Sequence, residues 1–177
     1  MAEQAQIDEL TQKMTVERAA LLAALESLSK DEASSSPTGG EWTTKQQMSH
    51  LCEMESAYRA WVERALEQDG ANVDGIRGNR VAIPLEDASA HTVSEHTAEM
   101  RRQREQTIRL IASIQPGDFE RRATNSLFGS LTVMQWLRSY YRHDRMHVDQ
   151  VSGREPEYKP KFATGAEPNQ RRGTRTQ

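Results

Sequence analysis

Four stretches of this 177-residue chain place apolar side chains at helical intervals, and no stretch between them shows the two-residue alternation of a half-buried strand. Ile7, Leu10, Met14, Leu21, Leu25 and Leu28 mark the first, an amphipathic helix from about Ile7 to Ser29. The second starts at Thr43 or Thr44. Thr43 with Gln46, and Thr44 with Gln47, both fit a capping box, in which a hydroxyl and an amide satisfy free backbone N–H groups. Met48, Leu51, Met54, Tyr58, Trp61, Val62, Ala65 and Leu66 carry its apolar face to about Gln68. The third runs from about Ala90 to Ile114, with Val93, Met100, Ile108, Ile111 and Ile114 inward, and Pro116 and Gly117 stop it. Thr132 and Gln135 cap the fourth, whose stripe is Val133, Trp136, Leu137, Tyr140, Val148 and Val151, ending at Gly153. The linkers "DEASSSPTGGEW" and "ERRATNSLFGSL" read as loops, and so does the long "DGANVDGIRGNRVAIPLEDAS", which at that length is either functional or mobile. The fold expected is all-α: a four-helix bundle over residues 1–153, followed by a disordered, basic, Pro-containing tail over 154–177.

Other features narrow the function. A net charge of −3 and 6% aromatic residues give no footprint for a nucleic-acid partner. No apolar run reaches the roughly 20 residues of a membrane span, and "MAEQAQIDEL" lacks the pattern of a secretory signal. Cys52, the one cysteine, cannot form an internal disulfide. A cytoplasmic protein acting on a small molecule is the expectation, with no nucleic acid and no membrane as partner.

The segment "SYYRHDRMHVDQ" carries two histidines four residues apart. On a helix such positions differ by about 40° and lie one turn apart, so His143 and His147 share a face with Trp136 and Tyr140. Two buried imidazoles both need partners, and the pair at this spacing can chelate one metal ion. On spacing alone a hydrogen-bonded core pair remains an equal reading. His50, on the flank of the second helix's apolar arc, is the candidate third ligand. His96 is the reserve, although Glu95, Thr97 and Glu99 around it read as a solvated surface.

"EWTTKQQMSHLCEMESAY" resembles the second-helix motif of the DinB/YfiT-like family: a Trp, a helix cap, then a His followed by an apolar residue. "SLTVMQWLRSYYRHDRMHVDQV" resembles the family's fourth helix, with its Thr cap and closing H-x-x-x-H. The resemblance covers about Ile7 to Gly153. It implies a four-helix bundle, often a homodimer, in which His50, His143 and His147 bind one divalent metal, such as zinc, nickel, iron or manganese. Relatives include S-transferases and isomerases that use the low-molecular-weight thiols bacillithiol, mycothiol or glutathione, and others described as metal-dependent hydrolases. The chain departs from the mycothiol-dependent isomerases, where a Glu stands at the position of His143.

A metal-dependent transferase using a small thiol is therefore the expected activity. A hydrolase that activates water, and a non-catalytic bundle with a structural metal, are the alternatives. Metal binding lowers the pKa of a thiol or a water alike. Hydrolysis needs a general base. Glu53, three residues after His50, is the candidate; Asp144 follows His143 and is expected to point away from the metal. Each is otherwise an orienting group or an ordinary solvated carboxylate. Cys52 lies about 200° around the helix from His50 and reads as a small core residue rather than a nucleophile. Of Arg101, Arg102 and Arg104, Arg104 lies nearest the third helix's stripe and is the best candidate for holding a cofactor carboxylate, although a charge run on a helix is more often a solvated face. Trp61, Trp136 and Tyr140 are candidates for lining a substrate pocket near the metal, with a plain core role as an equal alternative. "HDRMH" differs from the zinc-protease H-E-x-x-H in its shorter acid, and no further ligand follows it downstream.

Overall fold

The computed structural model describes residues 2–37 and 42–158. Four long helices form the bundle: α1 (Gln4–Glu26), α3 (Thr44–Glu67), α4 (Val93–Ser113) and α5 (Val133–Val151). A single turn, α2 (Lys30–Ala33), follows α1, because Ser29 and Glu32 form a capping box that starts a new helix where α1 was expected to end. Around the bundle α1 packs on α4 and α5, and α3 packs on the same two. Thus α1 lies diagonal to α3.

The caps fix the helix starts. The Thr43 hydroxyl accepts from Gln46 N–H, and Gln46 reaches back to Thr43. Thr132 and Gln135 do the same for α5. A box of Thr92 with Glu95 starts α4 three residues later than its periodicity suggested.

The expectation of no strands is corrected. The segment "ERRATNSLFGSL" contains a hairpin, β2 (Arg122–Asn125) against β3 (Gly129–Thr132), and β1 (Ala71–Asn72) joins β2 in parallel. Strands of two to four mostly polar residues are too short to show an alternating pattern. Gly129, with φ of +76°, supplies the left-handed backbone that closes the hairpin.

The long segment between α3 and α4 is pinned to α3. Trp61 Nε1 donates to Ile76 O at 2.9 Å and Ser56 Oγ to Asn79 O at 2.8 Å. Gly78 sits so close that a Cβ there would lie 2.3 Å from the carbonyl carbon of Ser56. At the other end of the chain, residues 154–158 fold back on α5, with Glu157 on Arg145 at 2.7 Å and Arg154 on Asp149 at 2.9 Å. The rest of the expected disordered tail, 159–177, lies outside the described residues.

The core has two parts. Leu10, Met14, Tyr58, Trp61, Ile111, Trp136 and Tyr140 belong to one apolar cluster. Leu21, Leu25, Met48, Leu51, Cys52, Met100 and Val151 belong to the other. At the level where they meet, each long helix contributes a buried charge: Arg18, Glu55, Arg104 and Asp144.

Candidate metal centre

The packing of α3 on α5 brings His50, His143 and His147 together. Their ligating nitrogens all lie within 4.8 Å of one another. His50 and His147 are buried and His143 is half-buried. The two histidines of α5 face each other through Nε2, 3.2 Å apart. Two nitrogens at about 2.0–2.1 Å from one tetrahedral ion would stand roughly 3.3–3.4 Å apart, so this edge already has the right length. Nδ1 of His147 lies 3.0 Å from Oε1 of Gln47, which is buried on α3. The Trp42 ring is tilted against that of His50, with centroids 4.6 Å apart. The donor set is three imidazoles from two helices, which suits a borderline divalent cation and would leave coordination positions for a small ligand.

Below the histidines lies the charged level. Arg18 Nε and Nη2 donate to the two oxygens of Asp144 at 3.0 and 2.9 Å, and Nη2 also reaches Glu55 at 2.6 Å. Arg104 donates to Glu55 at 2.8 Å and to Asp144 at 2.8 Å. Thr107 adds a hydroxyl to Glu55 at 2.6 Å. Burial alone would raise the Glu55 carboxyl, but the charges of Arg104 and Arg18, with hydrogen bonds from Arg104 and Thr107, hold it down at about 2. A cavity of about 10 Å³ separates this level from the histidines; His143, Tyr140, Glu55 and Asp144 are among its lining residues. That is about the space one water needs. The Tyr140 hydroxyl is buried and has no hydrogen-bond partner among the described residues.

A helical bundle carrying this triad can be compared with known proteins. The sequence profile of the DinB superfamily matches residues 13–151. The chain belongs to the DinB superfamily. Among its relatives is the uncharacterised protein YuaE of Bacillus subtilis (strain 168), 28% identical over 138 residues, covering 72% of this chain and 85% of YuaE. A similar solved structure is YfiT of Bacillus subtilis, with a TM-score of 0.70 and 17% identity, covering 86% of this chain and 87% of YfiT. YfiT is described as a probable metal-dependent hydrolase with an unusual four-helix bundle topology.

In this DinB-superfamily chain the remaining candidates have the following places. Glu53 is half-buried, and its Oε1 accepts from Leu85 N–H at 2.8 Å, at the start of the 3-10 helix Leu85–Ala90. Arg104 is committed inside the protein, to Glu55, Asp144 and the carbonyl of Met14. Trp136 and Tyr140 pack in the core with Tyr58, with centroids 5.9 and 5.2 Å from its ring. Asp144 as a solvated carboxylate is corrected, since two guanidinium groups draw it fully inside. The solvated surface expected around His96 holds at Glu95, which is exposed, and is corrected at Thr97 and Glu99. His96, Thr97 and Glu99 are buried, and His96 Nε2 lies 2.9 Å from the carbonyl of Ala88, away from the triad. Cys52 is a core residue, and burial pushes its thiol up.

Sequence reasoning missed Arg18, Glu55 and Gln47. The first two had a signal: each stands where its helix's apolar stripe calls for a hydrophobe, Arg18 between Met14 and Leu21, Glu55 between Leu51 and Tyr58. Gln47 had none, since it fitted a capping box equally well.

Proposed function

We propose that the chain is a metal-dependent hydrolase in which His50, His143 and His147 hold one divalent ion and a small-molecule substrate is attacked by water. The convergence of three imidazole nitrogens from two helices carries this reading. A divalent ion there supplies Lewis acidity, lowering the pKa of a water and polarising a carbonyl or phosphoryl oxygen. The chain's own residues do the rest. Trp42 covers one side of His50, and Leu51 lies beside His143 at the small cavity. Tyr140 offers a buried hydroxyl in the water-sized cavity beside His143.

The nucleophile has to come from outside the protein. Cys52 is buried in the second apolar cluster with its thiol pushed up, so it supplies no thiolate. The description of YfiT as a probable metal-dependent hydrolase supports water in that role. Transfer to a low-molecular-weight thiol is the second reading; it shares the metal and requires an added thiol.

The test begins with metal content of untagged protein beside the His50→Ala and His143→Ala variants. About one equivalent of divalent metal per chain, lost in both variants, is expected. The loaded protein is then assayed on a panel of esters, amides and phosphoesters with and without bacillithiol, mycothiol or glutathione. Turnover without thiol supports the hydrolase. Turnover only with thiol overturns it in favour of transfer. No metal in the wild type after exposure to zinc, nickel, manganese and ferrous iron overturns both.

A further inference from the structure

We infer that Gln47 is a positioning residue of this centre: its side-chain carbonyl fixes the tautomer and ring plane of His147. The inference rests on the metal reading above and deepens it. Gln47 and His50 are three apart on α3, so one helix face presents both a ligand and the group that steers a ligand of the facing helix. Oε1 of Gln47 is 3.0 Å from Nδ1 of His147, and both side chains are buried, at 7% and 2% exposure.

The chemistry follows from what each atom can do. A carbonyl oxygen only accepts, so Nδ1 of His147 carries the proton and donates it. In a neutral imidazole the lone pair then lies on Nε2, the atom that faces His143 at 3.2 Å. Turning the amide over would put an NH2 against Nδ1, force the proton onto Nε2 and close that nitrogen to a metal. Without a cation, His143 can fill the short gap by donating its own Nε2 proton to His147. A metal replaces that proton, and the Gln47 contact stays the same in both states. The ring is thus already oriented for binding, which lowers the ordering cost when a metal arrives.

The experiment uses the full chain with zinc(II) as the probe and compares Gln47→Leu, Gln47→Met and Gln47→Glu with the wild type. Leu and Met remove the acceptor at similar volume, while Glu keeps one and strengthens it. Zinc affinity is read by chelator competition, and the histidine tautomer of the metal-free protein by long-range nitrogen–proton NMR. The expected result is a 10- to 100-fold loss of zinc affinity for Leu or Met, with affinity kept or raised for Glu. The spectrum should show His147 protonated at Nδ1 in the wild type and a mixed tautomer in the Leu or Met variant. Zinc affinity within twofold of wild type in both Leu and Met variants, with His147→Ala abolishing binding, would overturn the role of Gln47 and leave the triad standing. If the wild type binds no zinc, the metal reading fails, while an unchanged His147 tautomer in the variants would separately overturn the part assigned to Gln47.

Discussion

Replacing Glu55 by Gln keeps the shape of the charged level and removes one of its charges. Two guanidinium groups and two carboxylates balance there; the variant leaves a net positive charge enclosed between apolar clusters. The new amide also turns an NH2 toward guanidinium groups that only donate, Arg18 Nη2 at 2.6 Å or Arg104 Nε at 2.8 Å. Breaking a buried pair on one side costs about 3–5 kcal/mol. For a chain of this size that is a fall in Tm of roughly 6–20 °C. Acid should reproduce the loss in the wild type. The Glu55 carboxyl sits at about 2 in the folded chain against an ordinary 4.5. A depressed folded value means that stability is complete above the ordinary value and disappears as pH falls from there through the folded one. That interval corresponds to about 3 kcal/mol, in line with the mutational figure. Urea unfolding of both proteins at pH 7 and near pH 3 is the assay. The gap between them should narrow on acidification, because a protonated Glu55 resembles Gln. A gap under about 1 kcal/mol at pH 7, or one that acid leaves unchanged, would refute the reasoning.

Zinc should stabilise the wild type in thermal unfolding and lose its effect in His50→Ala, His143→Ala and His147→Ala. Its affinity should fall as pH is lowered, since the ligands bind metal only when neutral; equilibrium dialysis across a pH series checks this. Gly78→Ala should destabilise by about 1–3 kcal/mol, because the added methyl meets backbone at Ser56 rather than a side chain that can swing aside; a denaturant titration measures it. Cys52 should resist an aromatic disulfide reagent in the native protein and react at once in denaturant, which absorbance at pH 8 follows.

The helices were legible because their stripes are long and their caps use hydroxyl and amide pairs at fixed spacing, as at Thr43–Gln46 and Thr132–Gln135. Two of the histidines were legible for the same reason: i, i+4 spacing on an inward face is a local property. His50 was brought to them by the packing of α3 on α5, and the motif resemblance pointed there before any geometry did. What escaped lies between elements. Arg18 finds Glu55 and Asp144 across 37 and 126 residues of chain, and no periodicity within one helix reports such a match. Gln47 carries the same side chain whether it caps a helix or steers a ring. The hairpin was hidden by its brevity, and the long segment before α4 by backbone-directed bonds such as that of Trp61, which leave no composition signal.

The charged level also bears on how the sequence can change over generations. Arg18, Glu55, Arg104 and Asp144 stand on four different helices, yet each is neutralised by residues on the others. A substitution at any one strands charge that the other three were balancing, so the positions should drift together or hold still. A lineage that trades the level for an apolar one passes through less stable forms unless several changes arrive at once, even though the end point can be as stable as the start. Among relatives of this chain the four positions should therefore occur as a set, all charged or all apolar, with mixed sets rare.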